Sequence, residues 1–515
     1  MTKRIASTLM LLAVIFSGGC QTSMQTTWNS ELAAQQGNGP IRVLTTESVT
    51  YTFTDFTFND SLLSGKGSIR IDDAASEFAG SIPFSRIVFI ERLRDSEAKA
   101  IWVVPVAAIT TVAIIALATQ NGFSIQPHEG GSCPTVYAFD NTDFHLEAEA
   151  FGTSISKVME ATSYSVLTKL APIDGRLVVR VANERPETHM INSVRLFAAD
   201  AGDVPAAVLD IENNLWPLAH PLPPLSAIDA SGRDVRHALE AAEGRMWISD
   251  LRNITPGSGF RDSIDLKFEM PQQTEEATLV VRAINTELIT EVYRSVGGLL
   301  GDATMQFYQS LESDPALQQR IRNWLGDCSL TIEVEREDGW ETVGTMLPEA
   351  NMVSFSRAVR LRLPAQLQRP LRVRLSTLTD VWRIDAVLLD CSTVRPLPLR
   401  ELPLLSVESS NGVDWEAAVA KPDSSYAILL PPDRIACEFD AAPAAQMLRP
   451  IYVFAARGYL YEWFPNDRDS PGAAFAANLS ETQRVDMLKL LIQQKDIFLP
   501  PIYAQWRKSI GALQE

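Results

Sequence analysis

The sequence contains few of the residues that usually form metal and redox sites. Its 515 residues include only five histidines and five cysteines. Neither set has the spacing of zinc ligands, and no two cysteines form a CxxC pair. We therefore expect no metal ion and no other cofactor. The histidines are His128, His145, His189, His220 and His237.

Positive charge is also scarce. The chain has 45 lysine and arginine residues against 63 aspartate and glutamate residues, which gives a formal net charge of −18. Such an excess of negative charge repels phosphate backbones. Nucleic acid is therefore excluded as an expected partner.

Long apolar runs are rare. The mean hydropathy is 0.00, and only two uncharged stretches approach the length of a spanning helix, which excludes a polytopic membrane protein. Apolar residues make up 46% and charged residues 21%, so the chain can build a core and is not wholly disordered. At roughly 150 residues per domain, its length suggests about three folded units.

Familiar catalytic motifs are missing from the sequence. HExxH, GxSxG, GxxxxGK[ST] and GxGxxG do not occur. Because catalytic groups are defined by geometry rather than by their order in the chain, an enzyme stays an alternative. We favour a protein that is not an enzyme.

The N-terminus has the features of a secretory signal. Lys3 and Arg4 precede an apolar run from Leu9 to Phe16, and small residues then lead to Cys20. A cysteine at this point resembles the bacterial lipoprotein signal, in which the thiol receives a diacylglycerol and becomes the mature N-terminus. The sequence departs from that pattern at Ser17, where leucine is usual. An ordinary secretory signal or an uncleaved anchor is the alternative.

Lipid attachment at Cys20 would determine the location of the protein. Gln21 follows the cysteine, which resembles the sorting of outer-membrane rather than inner-membrane lipoproteins. We expect a membrane-anchored lipoprotein of the bacterial cell envelope, with the outer membrane favoured. Loss of Lys3 and Arg4 on cleavage changes the net charge from −18 to −20.

A second apolar segment, residues 101–119, contains no charged residue. At ~1.5 Å per residue, it is just long enough to cross a hydrocarbon core of ~30 Å. Three basic residues between Arg92 and Lys99 precede it, and the next one is Lys157. The positive-inside rule therefore places the upstream side in the cytoplasm, whereas the export signal places it outside. We favour a buried or membrane-resting helix, or an oligomer contact, over a transmembrane helix.

Short strand patterns dominate the rest of the chain, so we predict a mainly β fold with a minor α+β character. We predict a signal peptide at 1–20, a flexible tether at 21–40, a small β-domain at 41–95, an apolar helix at 99–120, a β-hairpin-rich domain at 130–260, a β-sandwich at 261–400 with a helical insert at 286–325, and a C-terminal β extension and helix at 401–515.

Three local patterns support this division. CPTVYAF and FHLEAEA flank the turn DNTD and predict a hairpin. Seven alternating strands, with a hairpin turn at Asp338-Gly339, indicate the sandwich. Helical patterns are found near Val235–Ala242 and 480–495. The seven strands are SIDLKFEM, ATLVVRAIN, LTIEVERE, WETVGTML, AVRLRLP, LRVRLST and WRIDAVLLD.

Longer motifs resemble a family of uncharacterised exported bacterial proteins, many of which carry lipoprotein signals. The motifs are SCPTVYAFDNTDFHLEAEAFG, GRLVVRVANERPETHMINSVRLFAAD, ATLVVRAINTELITEVYRSVGGLLG and DVWRIDAVLLD. They match a Ser-Cys-Pro-x-Val-Tyr hairpin, an Asn-Glu strand, an Arg-x-x-Asn-Thr helix start and an aromatic-x-Ile-Asp strand. The resemblance covers most of residues 41–395 and implies an architecture, but no activity and no cofactor.

Two acidic groups are candidate sites. Asp140, Asn141 and Asp143 have oxygen atoms suited to calcium, but these residues also favour turns, which is the interpretation we prefer. Glu147 and Glu149 alternate along one predicted strand and are candidate paired carboxylates.

His145 would share the strand face of those two glutamates. We favour a solvated hairpin face over a catalytic pair at this position.

Two apolar features and the cysteines are interpreted as core. For the aromatic run Tyr459–Phe464, we favour core packing over a sugar-stacking or partner-binding surface. The helix face Leu288–Leu300 is also predicted to be core. After signal removal four cysteines remain, and we slightly favour buried thiols over disulfides. They are Cys133, Cys328, Cys391 and Cys437.

These features favour a lipid-anchored envelope protein that acts as a non-catalytic binding or structural module. Its expected partners are the membrane, through the lipid at Cys20, and an envelope protein or glycan. The alternative is an envelope hydrolase with a cleft between the hairpin region and the sandwich. Carboxylates or histidines that converge in a deep pocket would favour the hydrolase.

Replacement of Cys20 by serine tests the lipid anchor. We expect Cys20→Ser to abolish labelling with palmitate and to move the protein out of the membrane fraction, because serine has no thiol to acylate. Cys391→Ser is the control for the loss of a cysteine and should label like the wild type. Unchanged fractionation of Cys20→Ser would contradict lipid attachment.

Overall fold

A computed structural model describes residues 40–45, 49–58, 62–71, 74–83, 86–92, 133–251, 259–271, 274–300, 303–363, 370–464 and 479–514. The predicted signal peptide with Cys20, the tether up to residue 39 and the apolar helix at 99–120 lie outside these residues. In the described part of the chain, no helix is both long and apolar enough to cross a bilayer.

The fold is mainly β, as predicted, and all strand pairings between named strands are antiparallel. The first thirteen strands are β1 Ile41–Thr45, β2 Thr50–Phe58, β3 Leu62–Ile71, β4 Ala74–Pro83, β5 Ile87–Arg92, β6 Thr135–Phe139, β7 Phe144–Glu149, β8 Ala161–Leu167, β9 Arg176–Ala182, β10 Glu187–Asp200, β11 Ala206–Leu209, β12 Leu215–Leu218 and β13 Ser226–Asp229.

The later strands are β14 Arg261–Phe268, β15 Glu276–Asn285, β16 Leu330–Arg336, β17 Gly339–Met346, β18 Phe355–Arg362, β19 Leu371–Leu378, β20 Trp382–Asp390, β21 Arg400–Leu402, β22 Leu404–Ser409, β23 Ala427–Leu429, β24 Arg434–Asp440 and β25 Pro450–Glu462. They are interrupted by three helices after β15 and by one short helix after β22, and two helices follow β25. The helices are α1 Leu288–Gly297, α2 Thr304–Ser313, α3 Pro315–Cys328, α4 Glu416–Val419, α5 Glu481–Leu491 and α6 Lys495–Gln514.

The N-terminal strands form a sheet of their own in the order β4-β3-β2-β1-β5. Alternation along β2 buries Tyr51 and Phe53, and the ring of Phe78 lies 4.8 Å and 5.6 Å from their ring centroids. Arg42 connects this sheet to helix α5 through an ion pair of 2.8 Å with Glu481.

The predicted sandwich strands are all present. With β13, which comes from the predicted hairpin-rich region, they form one sheet in the order β13-β14-β19-β16-β17 and another in the order β18-β15-β20, so the predicted boundary at residue 260 does not separate the sheets. Inward residues of both sheets, such as Leu266 and Val281, belong to one apolar core. The predicted hairpin between β16 and β17 is confirmed, but Arg336 pairs directly with Gly339, so its two turn residues are Glu337 and Asp338 rather than Asp338 and Gly339.

Helices α1 to α3 form the predicted insert, which continues to Cys328. The apolar face from Leu288 to Leu300 is buried, which confirms its interpretation as core. Asp314 caps α3, since its side chain accepts hydrogen bonds from the backbone N–H groups of Ala316 and Leu317. Near Val235–Ala242 the structure has only a short 3-10 turn.

The strands after residue 400 do not form a separate extension. Strand β24 lies between β22 and β9, and β25 lies between β10 and β8, so both complete sheets that begin in the hairpin-rich region. The alternation of apolar and polar residues along a strand specifies which face of the strand is buried, but not which distant strand pairs with it. For this reason the local pattern suggested an extension where the structure has shared sheets.

Helix α5 fits the predicted C-terminal helix, but α6 was not predicted, because Pro500 and Pro501 argue against a helix there. Helix α6 packs against the sandwich through two hydrogen bonds. The indole N–H of Trp506 donates to Asp380 Oδ2 at 2.5 Å, and the Tyr503 hydroxyl donates to the carbonyl oxygen of Thr379 at 2.7 Å. Burial raises the pKa of Asp380 to about 6, and the Trp506 bond opposes that rise.

Replacement of Trp506 by phenylalanine tests this contact. We expect Trp506→Phe to lower the free energy of unfolding at pH 7.5 by about 1–3 kcal/mol relative to its control, because a buried carboxylate loses a donor. The control is Trp415→Phe, since the indole nitrogen of Trp415 is buried without a hydrogen-bond partner. Urea unfolding measures the free energy of unfolding of both variants. An equal decrease in the two variants would contradict a role for the hydrogen bond.

Candidate binding cleft

A cleft lies where the hairpin-rich region, the sandwich and the helical insert meet. Its wall includes Gly152 from the first, Asn285 and residues 348–351 from the second, and Thr290 from the third. The cleft has about 700 Å³ of empty volume, counting the part that is open to solvent. This is the location at which the sequence placed the cleft of the alternative hydrolase.

Asn285 is the best-defined polar group of the cleft. It ends strand β15 and is 6% exposed. Its Oδ1 accepts hydrogen bonds from the backbone N–H groups of Glu349 at 2.7 Å and Ala350 at 3.2 Å. Because both partners are donors, they fix the orientation of the amide. Asn285 lines the cleft, and its Nδ2 is a buried donor without a hydrogen-bond partner in the described part of the chain.

Glu149 holds the two residues that follow Ala350 in the loop of residues 349–352. This residue ends strand β7 and is 1% exposed. Its Oε2 accepts hydrogen bonds from the backbone N–H groups of Asn351 at 2.7 Å and Met352 at 2.8 Å. Asn285 and Glu149, which we call the loop clamp, thus bind four successive N–H groups of residues 349–352.

The pKa of Glu149 is raised to about 7. Burial is the main cause, and the charge of Glu187 adds to it. The two backbone hydrogen bonds and the charge of Arg185 act in the opposite direction. Near neutral pH, the side chain that holds the cleft wall is therefore close to its titration point.

Glu462 lines the cleft, and Glu187 lies beside it on the neighbouring strand. Glu187 and Glu462 are paired residues on β10 and β25, and both are buried. His189 Nε2 lies 2.9 Å from Glu187 Oε2, and Glu462 lines the cleft. The charge of Glu462 also raises the pKa of Tyr293, where burial is the larger cause. Glu462 therefore adds a second glutamate, besides Glu349, to the cleft wall.

The carboxylate of Glu349 also lines the cleft, but it forms an ion pair with Arg357. Burial raises the pKa of Glu349, and the positive charge of Arg357 opposes that rise. The side chains of the pair are 18% and 10% exposed. The negative charge of Glu349 is therefore compensated by Arg357 within the protein.

An apolar cavity adjoins the cleft beneath the helices. It has about 420 Å³ of empty volume, again including open space, and its wall contains side chains of α1, α2, α3, α5 and α6. Tyr293, Ile321 and Trp324 line both spaces. The cleft and the cavity are therefore neighbours along one wall, with polar groups at one end and apolar groups at the other.

The prediction that Glu147 and Glu149 share a solvated or catalytic strand face was wrong. The register between β6 and β7 shifts, so that Val136 pairs with Ala148 and Tyr137 pairs with Leu146. Glu147 is therefore the extra residue of a β-bulge, which breaks the alternation of side chains.

Each acid of that strand consequently has its own partners. Glu147 accepts hydrogen bonds from the Thr168 hydroxyl at 2.5 Å and the Lys169 N–H at 2.9 Å. Glu149 is buried in the loop clamp. His145 contacts Asp140 at 2.6 Å instead of joining either glutamate.

The turn at Asp140, Asn141 and Asp143 has the geometry of an aspartate turn. Asp140 Oδ1 accepts hydrogen bonds from the N–H groups of Thr142 at 2.8 Å and Asp143 at 2.9 Å. Hydrogen bonds from Thr142 and Asp143 lower the pKa of Asp140. Throughout the described ranges, no group of three or more histidine, cysteine or acidic residues is arranged to hold a metal ion.

The remaining apolar predictions hold. Tyr459, Tyr461 and Trp463 are 4%, 7% and 8% exposed, which confirms that they pack in the core. No disulfide joins any two of the four cysteines that the structure describes. Three of them are buried, and Cys391 is half-buried. Burial raises the pKa of Cys437 to about 12.

Residues from two separate sequence motifs meet at the cleft. Cys133 belongs to the Ser-Cys-Pro motif, and Asn285 and Thr286 belong to the Arg-x-x-Asn-Thr motif. That motif implied only an architecture and gave Asn285 no role, and Glu149 was predicted to have a different role. The available signal was a polar residue at the end of a largely apolar strand, ATLVVRAIN in the case of Asn285.

Comparisons with known proteins assign no family. No protein-family model and no curated protein matches the chain. Among solved structures, the chain matches a GH31 alpha-xylosidase from Xanthomonas citri with 13% identity and a TM-score of 0.16. The match covers 82% of this chain and 38% of that chain. Such a low TM-score supports no argument about fold or activity.

A pH series with Glu149→Gln tests the buried carboxyl of the loop clamp. Between the ordinary pKa of 4.5 and the folded-state value of about 7, the folded protein keeps a proton that the unfolded chain loses. The free energy of unfolding therefore falls as pH rises through this window, by roughly 3 kcal/mol for this group.

Between pH 4.5 and 8, we expect the free energy of unfolding of Glu149→Gln to fall by roughly 3 kcal/mol less than that of the wild type. The amide oxygen of the variant still accepts hydrogen bonds from the two backbone N–H groups. Glu147→Gln removes one acid from the same strand outside the clamp and is the control. Chemical unfolding at each pH measures the effect. The same change of pH dependence in both variants would contradict the assignment to Glu149.

Proposed function

We propose that this protein is a lipid-anchored component of the bacterial envelope that acts as a non-catalytic binding module. The signal-like N-terminus that ends at Cys20 supports the anchor. The cleft between the hairpin-rich region and the sandwich is the proposed binding site. Its ligand is a molecule or chain segment of the envelope.

The observation that carries this proposal is the donor on Asn285. Buried polar groups are normally hydrogen-bonded, and leaving one without a partner costs about 1–3 kcal/mol. The backbone of residues 349 and 350 fixes the Asn285 amide so that Nδ2 has no hydrogen-bond partner among the residues that the structure describes. A ligand with an acceptor oxygen would satisfy it.

The composition of the cleft wall also supports ligand binding. Ligand sites are mostly apolar, with a few fixed polar groups that orient the ligand. Here Ile155, Ile289 and Trp324 lie beside Asn285 and Asn351. These side chains come from all three parts of the fold that meet at the cleft.

The carboxylates favour binding over hydrolysis. Glycoside hydrolysis requires two carboxylic groups that are free to exchange protons and attack. Glu349 is ion-paired with Arg357, and Glu149 accepts two backbone hydrogen bonds. No histidine is among the described residues that line the cleft.

Hydrolysis stays as a second proposal because two glutamates, Glu349 and Glu462, line the cleft. This cleft lies between the hairpin region and the sandwich, where the sequence placed the cleft of a hydrolase. In that case Glu462 would be the acid that acts on the substrate.

A photo-crosslinking residue at Thr290, which lines the cleft, tests the proposed function. After irradiation of intact cells, we expect the purified protein to show an adduct by intact-mass spectrometry. Gln319 is the control position, because it lies on α3 and does not line the cleft. An adduct that is no more abundant at position 290 than at position 319 would contradict a ligand in the cleft.

Addition of Glu462→Gln to the Thr290 variant separates binding from hydrolysis. A binding module should give the same adduct mass with and without this change, because its ligand is not cleaved. A hydrolase should give a heavier adduct in the variant, as uncleaved substrate accumulates.

A further inference from the structure

We propose that Glu149 is a pH-dependent latch on the wall of the cleft, and that loss of its proton releases Asn351 and Met352. The latch is closed in acid and loose at neutral pH. This inference goes beyond the proposed function, because it concerns the cleft wall itself and does not depend on which ligand the cleft binds.

The two halves of the clamped loop are held by different kinds of side chain. Asn285 Oδ1 accepts hydrogen bonds from the N–H groups of residues 349–350, and the backbone N–H of Asn285 donates to the carbonyl oxygen of Ala350 at 2.8 Å. An asparagine side chain does not titrate. The N–H groups of residues 351–352 donate to Glu149 Oε2, which belongs to a group that does titrate. A change of protonation therefore acts on the second half of the loop.

The second half of the loop also lies closer to the surface. Ala350 is 5% exposed, whereas Asn351 and Met352 are half-buried. Asn351 lines the cleft. This half can therefore move away from Glu149 while Asn285 keeps its own bonds, and such a movement brings solvent from the cleft to the carboxyl group.

Two buried oxygen atoms indicate that a proton belongs at this position. Glu149 Oε1 and Glu187 Oε1 find no hydrogen-bond donor in the described part of the chain. Because two buried carboxyl groups whose charges interact do not both ionise readily, a proton on one of them removes a charge and supplies a donor. Glu187 already faces His189 Nε2 at 2.9 Å. The proton is therefore placed on Glu149, where burial raises the pKa to about 7.

The other charged groups around Glu149 leave this proton in place. The charge of Arg185, which precedes β10, lowers the pKa of Glu149, but burial outweighs it. Glu349 on the loop and Arg357 on β18 form an ion pair and balance each other. Neighbouring segments also carry Tyr137, His145, Glu147, Glu184, His189 and Glu462.

Loss of the proton favours the open loop. Between the ordinary pKa of 4.5 and about 7, the buried carboxyl group of Glu149 keeps a proton that a solvated carboxyl group would release to water. An ionised carboxylate gains hydration when the loop opens, whereas a neutral acid gains little. The open fraction should therefore rise by up to about tenfold per pH unit across this window and level off above its upper end.

Hydrogen exchange of the full chain, resolved to single amides by fragmentation in the mass spectrometer, tests the latch. After correction for the intrinsic rate of exchange, opening at Asn351 and Met352 should increase about fiftyfold from pH 5 to pH 7.5. This increase is the one expected for a pKa of about 7 in the closed loop and 4.5 in the open loop. The amides of residues 349–350 should exchange more slowly at pH 7.5, because Asn285 holds them at either pH.

Two matched variants assign the effect to Glu149. Glu149→Gln cannot ionise, and its amide oxygen still accepts hydrogen bonds from the two N–H groups, so opening at residues 351–352 should not change with pH. Glu147→Gln removes an acid of the same strand outside the clamp and should behave like the wild type. If opening in Glu149→Gln rises with pH as it does in the wild type, Glu149 is not the latch.

The exchange of a core strand such as β15 shows whether the loop opens by itself. Exchange at residues 351–352 that is as slow as in β15 at both pH values would mean that the loop opens only when the whole protein unfolds, and would overturn the latch. This outcome is read from the wild type alone, so it does not depend on whether a variant folds.

Failure of this inference differs from failure of the proposed function. The exchange measurement involves no ligand, so a loop that stays closed at pH 7.5 would remove the latch and leave the binding module intact. The absence of an adduct at Thr290 would remove the binding module and leave the latch.

Discussion

Four consecutive backbone N–H groups, on residues 349–352, depend on two buried side chains for their hydrogen bonds. Asn285 binds the first two and Glu149 binds the last two. A buried backbone group without a partner is costly, so the loop position and the two side chains determine each other. Since Glu149 comes from the hairpin-rich region and Asn285 from the sandwich, the loop clamp also connects these two parts of the fold.

The helical insert supplies the opposite wall of the cleft, and its position depends on close packing. Gly297, at the end of α1, lies against the ring of Phe464, and a Cβ at this position would be only 2.2 Å from that ring. Any larger residue would therefore force α1 or the ring of Phe464 to move. Phe464 and Tyr293 also make an edge contact at 5.0 Å. These contacts fix α1 against the residues that follow β25.

Local patterns predicted most of the strands, because burial on one face of a sheet leaves an alternation in the sequence. The sandwich strands and the helix face Leu288–Leu300 are examples. The partners of β24 and β25 were not predictable in this way, since strand pairing is a property of the whole chain.

The cleft was predicted in its location but not in its chemistry. The bulge at Glu147 moved Glu149 into the interior, and no local signal distinguishes a bulge from a regular strand. The role of Asn285 depends on backbone groups more than sixty positions away. Sequence reasoning identified a strand end at Asn285, and only the fold shows that this end faces a cleft.

The shared sheets also determine the order in which the chain can fold. Strand β10 pairs along its whole length with β25, and β9 pairs with β24, so neither sheet can close until residues 434–462 have been synthesised. At roughly 5–20 residues per second, the early strands wait on the order of ten seconds or more for their partners. During that time their apolar faces and open edges are exposed to aggregation. The pairing of early with late strands therefore sets the interval during which the early strands are open to aggregation.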